Sequence, residues 1–208
     1  MGRFDHLASA RLTYDRLCAD DADDVLAVYG DPETWRHLPE ERYASRDRAL
    51  ALVARSDRTW EKAGLGSWAL RAAVDLDDVP AGTFLGTVGM TWMDLRDGLA
   101  AWNLGYRLAP ASWGRGVATE AAQTALDAAD ALGSADPVTA RAMTNNPASI
   151  RVLDRAGLTL AWRGATPTAD GSPHPEPLTL PPTVGRERVV YSDRALSPAL
   201  LDAVIALG

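Results

Sequence analysis

The chain has 208 residues, of which 47% are hydrophobic and 24% are charged, and its formal net charge is -7. This composition indicates one globular domain spanning residues 1–208, and the acidic balance argues against a nucleic-acid partner, because phosphate backbones attract a positive field. No segment approaches the roughly 20 apolar residues that cross a bilayer, so we expect a cytoplasmic protein with no membrane partner. The single cysteine, Cys18, excludes an internal disulfide, and with 3 histidines we expect no metal site.

The first part of the chain predicts one strand and two helices. Residues 11–17 alternate as a strand does, and we expect Cys18 to be buried at its end. Asp20 and Asp21 are suited to cap the first helix and Ser45 the second, which should stop at Gly64. The apolar positions of the two helices are Val25, Val28 and Tyr29, then Ala49, Leu52, Val53 and Trp60.

Three β-type segments follow, at residues 68–74, 84–93 and 100–108. Their connections are short and contain turn residues, so they predict an antiparallel meander.

A glycine-rich turn then precedes a helix. In Trp113-Gly114-Arg115-Gly116 two glycines flank one basic residue, which allows the backbone to approach a ligand closely. The first amides of the following helix lack intrahelical partners, and their natural occupant is a phosphate. The alternative is an ordinary turn, because many glycine pairs before a helix bind nothing.

A second strand and helix complete a parallel crossover. Residues 138–143 predict a buried strand, and Pro147 starts a helix that stops at Gly157 with Ile150, Leu153 and Ala156 inward. Asn146 is suited to cap this helix, and Ser149 could simply satisfy one of its free amides.

The end of the chain predicts a hairpin from residues 159–163 and 186–194, interrupted by a Pro-rich irregular insertion at residues 165–185. Ser197 and Pro198 then begin a terminal helix.

The two motifs together, Trp-Gly-x-Gly-x-Ala-Thr-Glu-Ala and the later Asn-x-x-Ser, resemble the GNAT acyltransferase superfamily, and within it the Rim-type branch of protein N-terminal acetyltransferases. The resemblance runs over residues 12–193. It implies a mixed α/β fold with flanking helices and a mostly antiparallel central sheet that is splayed in the middle. Acetyl-CoA, or another acyl-CoA, would lie in the splay.

The resemblance also implies which residues bind and react. The backbone of Tyr106, Arg107 and Leu108 would bind the pantetheine arm, which Asn146 would also contact. Arg115 would add a mobile positive charge. Ser149, near the cofactor sulfur, and Asn146 would be the catalytic groups. The pyrophosphate would be held by the amides of Gly114, Arg115, Gly116, Val117, Ala118 and Thr119.

Two positions depart from the family pattern. Leu153 stands where many members have a tyrosine that protonates the leaving thiolate, and Asn103 stands where Rim-type members often have a carboxylate. Ser149 or a water is left as proton donor, and no general base is assigned. Other titratable residues near the acceptor are more readily interpreted as surface groups, namely Glu33, Glu40, Glu41, Asp94, His37 and His174.

We therefore expect an N-acetyltransferase that acts by direct attack of a primary amine in a ternary complex, as a monomer or a homodimer. An α-amine, with a pKa of about 7.7 to 8.0, needs less help from a base than a lysine does. The net charge and the acidic residues between the first two helices favour a cationic acceptor such as a basic protein N-terminus. The alternatives are a small-molecule acetyltransferase for antibiotics or polyamines and a noncatalytic acyl-CoA sensor. A Rossmann or P-loop module is disfavoured, because the glycine turn follows an antiparallel meander and no Lys-Ser/Thr follows it.

Overall fold

The computed structural model describes residues 2–165 and 187–207. Eight strands lie in these two ranges: β1 (His6–Ala8), β2 (Leu12–Arg16), β3 (Ser67–Ala72), β4 (Phe84–Asp94), β5 (Ala100–Leu108), β6 (Val138–Met143), β7 (Thr159–Ala165) and β8 (Glu187–Ser192). They form one sheet in the order β1-β2-β3-β4-β5-β6-β8-β7. Every neighbouring pair is antiparallel except β5 and β6. The mixed α/β fold with a mostly antiparallel sheet is thus confirmed.

Helices flank both faces of this sheet: α1 (Ala22–Tyr29), α2 (Arg46–Ala63), α3 (Val117–Leu132), α4 (Pro147–Arg155) and α5 (Pro198–Ala206). The small buried residues of α3 and the Leu153 side chain of α4 pack with Trp102 and Leu104 of β5. On the opposite face, α1 and α2 pack beside Ala69 of β3, and α5 packs on Met93 of β4. None of these helices is both long and apolar enough to cross a membrane.

The local sequence patterns predict most of the helices and strands correctly. The predicted apolar positions of α1 and α2 are buried, and Gly64 ends α2 in the left-handed conformation with φ 82°. Two caps behave differently from the prediction. Neither Asp21 nor Ser45 makes a side-chain capping bond, and Asp21 instead accepts hydrogen bonds from the Cys18 amide and from Arg71.

The prediction for Cys18 was wrong, because this residue is exposed. Its neighbour Leu17 is fully buried. Since successive side chains of an extended segment point to opposite sides, burial of Leu17 directs Cys18 outward. Strand β1 was also missed, because its three residues are too few for a pattern.

The parallel pair β5 and β6 separates soon after it forms. Its register contains only Trp102 opposite Val138 and Asn103 opposite Thr139. Beyond Asn103, β5 continues to Leu108 against β4, while β6 continues against β8. The two strands therefore diverge and leave a slot at the centre of the sheet, which we call the β5/β6 slot.

The predicted hairpin forms from β7 and β8, and β8 lies between β6 and β7. The predicted Pro-rich insertion at residues 165–185 lies outside the described residues except for Ala165, which ends β7. Helix α5 begins as predicted, because the Ser197 hydroxyl accepts a hydrogen bond from the Leu200 amide at 3.3 Å.

Candidate active site

The backbone of β5 offers free hydrogen-bonding groups to the β5/β6 slot. The Trp102 amide donates to the Pro137 carbonyl at 2.9 Å, on the β6 side of the strand. The Ala109 amide donates to the Leu85 carbonyl at 2.8 Å, on the β4 side. Because these directions alternate along a strand, even-numbered backbone groups of β5 face β6 and odd-numbered groups face β4. An extended ligand in the slot could pair with the even-numbered groups as an added strand would.

This alternation separates the three residues predicted to bind an extended ligand arm. The backbone groups of Tyr106 and Leu108 face the slot, and those of Arg107 face β4. The Leu108 carbonyl already accepts a hydrogen bond from the Trp113 indole at 2.9 Å, so its amide is the group that remains toward the slot.

The predicted phosphate-binding turn has the backbone geometry that its glycines imply. Gly114 and Gly116 adopt left-handed φ angles of 75° and 76°, and Gly116 is the residue before α3. The first helical hydrogen bond runs from the Glu120 amide to the Gly116 carbonyl. Within the described part of the chain, none of the six amides from 114 to 119 donates to a protein acceptor. These are the amides predicted to hold the pyrophosphate.

A pair of charged residues that the sequence reading overlooked holds this turn in place. The Arg11 guanidinium donates to the Arg115 carbonyl at 2.8 Å, and its Nε donates to Glu120 Oε2 at 2.8 Å. Glu120 Oε1 also accepts from the Ser9 hydroxyl at 2.6 Å and from the Arg11 amide at 2.9 Å. Burial by itself would raise the pKa of Glu120, but the bonds from Ser9 and Arg11 outweigh it and hold that pKa below its usual value. An acidic residue in the first turn of a helix predicted to bind phosphate was the signal available in the sequence.

We expected the Arg115 side chain to be mobile, but in the structure its contacts with other residues fix its position. Its guanidinium forms ion pairs with Asp77 and Asp78 of the β3–β4 turn, and its Nε donates to the Ala111 carbonyl at 3.0 Å. A ligand phosphate would have to compete with these two carboxylates for the Arg115 side chain.

The slot and the turn together fit an acyl-CoA. The unbonded amides suit a diphosphate, and a Cβ built on Gly114 would meet no atom within 4 Å, so the backbone there is open to a ligand. The free edge of β5 suits an amide-containing arm that binds as a strand does.

The other side of the slot contains a tyrosine–serine pair. Asn146 caps α4 as predicted, because its side-chain oxygen accepts from the Ser149 amide at 3.2 Å. The Ser149 Oγ lies 2.9 Å from the Tyr106 hydroxyl, which also donates to the Ser149 carbonyl at 3.1 Å. Burial raises the pKa of Tyr106 to about 12, and its hydrogen bond with Ser149 opposes that rise in part. Tyr106 therefore keeps its proton at neutral pH and can serve as a donor to Ser149.

The sequence reading used only the backbone of Tyr106. The alternation of side chains along a strand predicts the face on which the Tyr106 side chain lies. This is the face of β5 that buries Leu104 and Leu108. Leu153, which stands at the family tyrosine position, is fully buried in the core and offers no proton.

The face of β5 toward α1 and α2 carries a different set of groups. The Arg107 guanidinium lies 3.3 Å from the centroid of the Trp35 ring and donates to the Thr34 carbonyl. His37 is half-buried, and burial together with the Arg107 charge lowers its pKa to about 4, so the imidazole is neutral at pH 7. The His37 carbonyl accepts from Asn145 at 3.3 Å, which joins the α1–α2 segment to the turn before α4.

Three acidic residues of the α1–α2 segment contact other groups within the protein. Asp31 accepts from the Glu33 amide at 2.8 Å, and Glu33 lies 3.4 Å from the Arg36 guanidinium. Glu41 is buried and lies 3.6 Å from Arg48. Burial raises the pKa of Glu41, although Arg48 opposes the rise. Asp94 is engaged elsewhere, at 3.0 Å from Lys62.

Asn103 lies at the vertex of the slot, the point where β5 and β6 separate, and its side chain is uncharged. Its side-chain oxygen accepts from the Nε of Arg141 at 3.3 Å. Arg141 was not singled out from the sequence, although a charge within the apolar strand β6 was a signal. His174 lies outside the described residues.

Comparison with known proteins defines the class of this site. Residues 11–159 match the family model described as an acetyltransferase (GNAT) domain, which is most of the chain. The chain belongs to the GNAT acetyltransferase family. It is an N-acetyltransferase that uses acetyl-CoA as its acyl donor.

Solved structures share the fold at low sequence identity. A putative GNAT-family acetyltransferase from Bordetella pertussis has a TM-score of 0.66 at 20% identity, over 91% of this chain and 99% of that chain. An acetyltransferase from Agrobacterium tumefaciens strain C58 has a TM-score of 0.62 at 22% identity, over 90% and 92%. RimL, a ribosomal L7/L12 alpha-N-protein acetyltransferase in complex with coenzyme A, has a TM-score of 0.64 at 14% identity, over 91% and 97%.

Proposed function

We propose that this protein acetylates the α-amine of its acceptor by direct attack in a ternary complex within the β5/β6 slot, and that it belongs to the Rim-type branch. The observation that carries this proposal is the continuity of the slot. It runs from the six unbonded amides at residues 114–119, along the free edge of β5, to the hydroxyl pair of Tyr106 and Ser149.

The donor would bind by groups that are already ordered. The amides from Gly114 to Thr119 would hold the pyrophosphate, and the slot-facing backbone of Tyr106 and Leu108 would hold the pantetheine arm. When bound, acetyl-CoA supplies a thioester whose carbonyl carbon is open to attack by an amine and whose sulfur can leave. Arg11 and Glu120 would keep the phosphate turn in its binding conformation, since both bond to it directly or through its neighbours.

Ser149 is the proposed proton donor to the leaving sulfur. Its hydroxyl would give a proton to the sulfur as the carbon–sulfur bond breaks. The Tyr106 hydroxyl would turn its single proton from the Ser149 carbonyl to Ser149 Oγ, which restores the serine hydroxyl, and Tyr106 would regain a proton from solvent. The 2.9 Å separation of the two oxygens permits this relay. Asn146 would position Ser149 through its bond to the Ser149 amide.

The neutral Asn103 at the slot vertex, where Rim-type members often have a carboxylate, favours an α-amine. Asn103 cannot accept a proton at neutral pH, and a His37 pKa of about 4 makes the imidazole a weak base. An α-amine with a pKa of about 7.7 to 8.0 is partly unprotonated near neutral pH, whereas a lysine amine lies about three pKa units away. The amine would then release its proton to solvent after attack.

A protein N-terminus is our proposed source of this α-amine, in keeping with the Rim-type motifs and with the fold shared with RimL. A preference for a basic N-terminus is not part of the proposal, because Asp31, Glu33 and Glu41 are engaged within the protein.

Thiol release from acetyl-CoA with a panel of amines tests this function. One peptide should carry a free N-terminus and no lysine, and its matched control should carry a blocked N-terminus and one lysine. We expect turnover with the first peptide and at least tenfold less with the second at pH 7. Equal rates would contradict the α-amine assignment, and an absence of turnover with every amine would contradict catalysis in this slot.

A further inference from the structure

Two arginines lie at the glycine turn before α3, and each of them contacts carboxylates of this chain. Arg11 lies 2.8 Å from Glu120 and donates to the Arg115 carbonyl. The Arg115 guanidinium forms its two ion pairs through different nitrogens, with Nη1 on Asp77 and Nη2 on Asp78. A phosphate that binds the amides of this turn therefore meets two guanidinium groups that already have negative partners.

The two sets of ion pairs differ in their exposure to water. The Glu120 side chain is 17% exposed, and it accepts further hydrogen bonds from the Ser9 hydroxyl and the Arg11 amide. The side chains of Asp77 and Asp78 are 83% and 79% exposed. Exposed ion pairs contribute little to stability because water screens them, whereas charged groups with several hydrogen bonds are held more strongly. The carboxylates on Arg115 are therefore the ones that a ligand anion can replace.

The backbone presents these two carboxylates at the tip of a tight turn between β3 and β4. The Leu76 amide donates to the Val79 carbonyl at 2.8 Å, and the Val79 amide donates to the Leu76 carbonyl at 3.0 Å. The Leu76 and Val79 side chains are buried in the hydrophobic core beneath α3. Because buried residues anchor both sides of the tip, Asp77 and Asp78 are held beside the Arg115 side chain.

The backbone of Arg115 is fixed independently of its guanidinium. Its carbonyl accepts the bond from Arg11, and the flanking Gly114 and Gly116 have left-handed φ angles of 75° and 76°. The Nε group of Arg115 donates to the Ala111 carbonyl at 3.0 Å, which leaves Nη1 and Nη2 as the groups that bind the anions. A guanidinium binds carboxylates and phosphates with the same planar fork of donors. One anion can therefore take the place of the other without a change in the turn.

We propose that a phosphate group of acyl-CoA exchanges with Asp77 and Asp78 on the Arg115 guanidinium, and that these two aspartates thereby set the affinity of the donor site. The proposal rests on the placement of the donor diphosphate at the amides of residues 114–119. In the exchange the two carboxylates become solvated and the guanidinium binds the phosphate, with no covalent bond made or broken. Release of coenzyme A reverses the exchange, so the aspartates weaken the binding of donor and product alike.

The phosphate can come from two parts of the same ligand. It can belong to the diphosphate bridge, or it can be the 3′-phosphate on the ribose of coenzyme A. Dephospho-coenzyme A lacks the second group and keeps the first. Comparison of the two ligands therefore distinguishes the two sources.

The double variant Asp77→Asn with Asp78→Asn tests the exchange. Asparagine keeps the size of each side chain and readily adopts the left-handed φ of 54° at residue 77. Calorimetry with coenzyme A at physiological ionic strength should show binding that is about three- to tenfold tighter than in the wild type, because two exposed ion pairs no longer compete. Arg115→Gln should weaken binding, and in that background the two asparagines should change the affinity by less than about twofold.

Asp97→Asn is the matched control. Asp97 is also exposed and left-handed, with a φ of 58°, but it precedes β5 whereas the glycine turn follows it. The 9 residues of β5 span about 30 Å, which exceeds the screening length of about 8 Å. The control should leave the affinity for coenzyme A unchanged.

Weaker binding in the aspartate double variant would overturn the proposal, because the aspartates would then hold Arg115 in its binding position. Unchanged binding would also overturn it, as would an equal gain in the Arg115→Gln background, which would assign the gain to the loss of negative charge near a polyanion.

A gain for coenzyme A but not for dephospho-coenzyme A would support exchange with the 3′-phosphate, and equal gains would support exchange with the diphosphate. These measurements need no acceptor, so they do not depend on the proposed α-amine. Wild-type affinity in Gly116→Val would instead contradict the placement of the diphosphate itself.

Discussion

The hydroxyl oxygens of Tyr106 and Ser149 lie 2.9 Å apart, although 43 residues separate them in the chain. One belongs to the strand that borders the slot, and the other to the first turn of α4. Because of this contact, Ser149 is a candidate proton donor and not only a residue of the helix cap.

Replacement of Ser149 by alanine should lower kcat by about 100-fold or more, with a smaller change in the KM for acetyl-CoA, because a proton donor acts in the transition state. Tyr106→Phe should have a smaller effect of the same kind, and little additional effect when combined with Ser149→Ala. Steady-state kinetics of the single and double variants measure both effects.

Tyr191→Phe is a matched control, since the Tyr191 hydroxyl also tethers α4, through Asp154 at 2.7 Å, but away from Ser149. It should leave kcat unchanged. A loss of less than about threefold in Ser149→Ala would assign Ser149 to helix capping alone.

Replacement of Gly116 by valine should abolish binding of acetyl-CoA. The residue has a φ of 76°, which a β-branched side chain adopts with strain, and its Cβ would meet the Arg11 guanidinium at 3.4 Å. Calorimetry gives the affinity and circular dichroism checks the fold.

Gly133→Val provides the same backbone strain at the other end of α3, with a φ of 75° and no atom within 4 Å of its Cβ. It should reduce stability by a similar amount, about 1–2 kcal/mol, while binding is retained. Equal affinities of the Gly116 and Gly133 variants would contradict the assignment of this turn.

Replacement of Glu120 by glutamine should weaken acetyl-CoA binding by roughly tenfold, because the bonds that hold Arg11 against the turn lose their charge. Asp57→Asn, which removes an exposed partner of Arg16, should leave the affinity unchanged. Isothermal titration measures both variants, and unchanged affinity in Glu120→Gln would show that the turn keeps its shape without this pair.

The same residue should affect stability at acidic pH. The pKa of Glu120 is lower in the folded protein than its ordinary value of 4.5, so its contribution is present at neutral pH and is lost as the pH falls through the folded pKa. The stability difference between wild type and Glu120→Gln should therefore shrink below about pH 4.5. Urea unfolding at a series of pH values measures it, and a difference that grows on acidification would have the wrong sign.

The pH dependence of kcat/KM for a peptide with a free N-terminus should follow the acceptor amine. It should rise with pH and level off near pH 8, where an α-amine loses its proton. His37, whose pKa is about 4, should not titrate in this range, and His37→Gln should keep the profile. An inflection near pH 6.5 that disappears in His37→Gln would instead identify His37 as the general base.

The amino-acid sequence by itself determined the order and approximate limits of the helices and strands, apart from β1. It also determined the left-handed turn at Gly114 and Gly116 and the cap at Asn146. These features depend on residues that are neighbours along the chain, through side-chain periodicity, the φ angles open to glycine, and a side chain that reaches an amide three positions away.

Only the tertiary structure decided which distant side chains meet. Arg11 contacts Glu120 across 109 residues, Tyr106 contacts Ser149, and Arg141 contacts Asn103. It also decided that Arg115 pairs with the acidic β3–β4 turn rather than remaining mobile. Such contacts follow from sheet order and strand register, which bring together segments with no local signal for one another, and burial then sets the pKa values of the groups that meet.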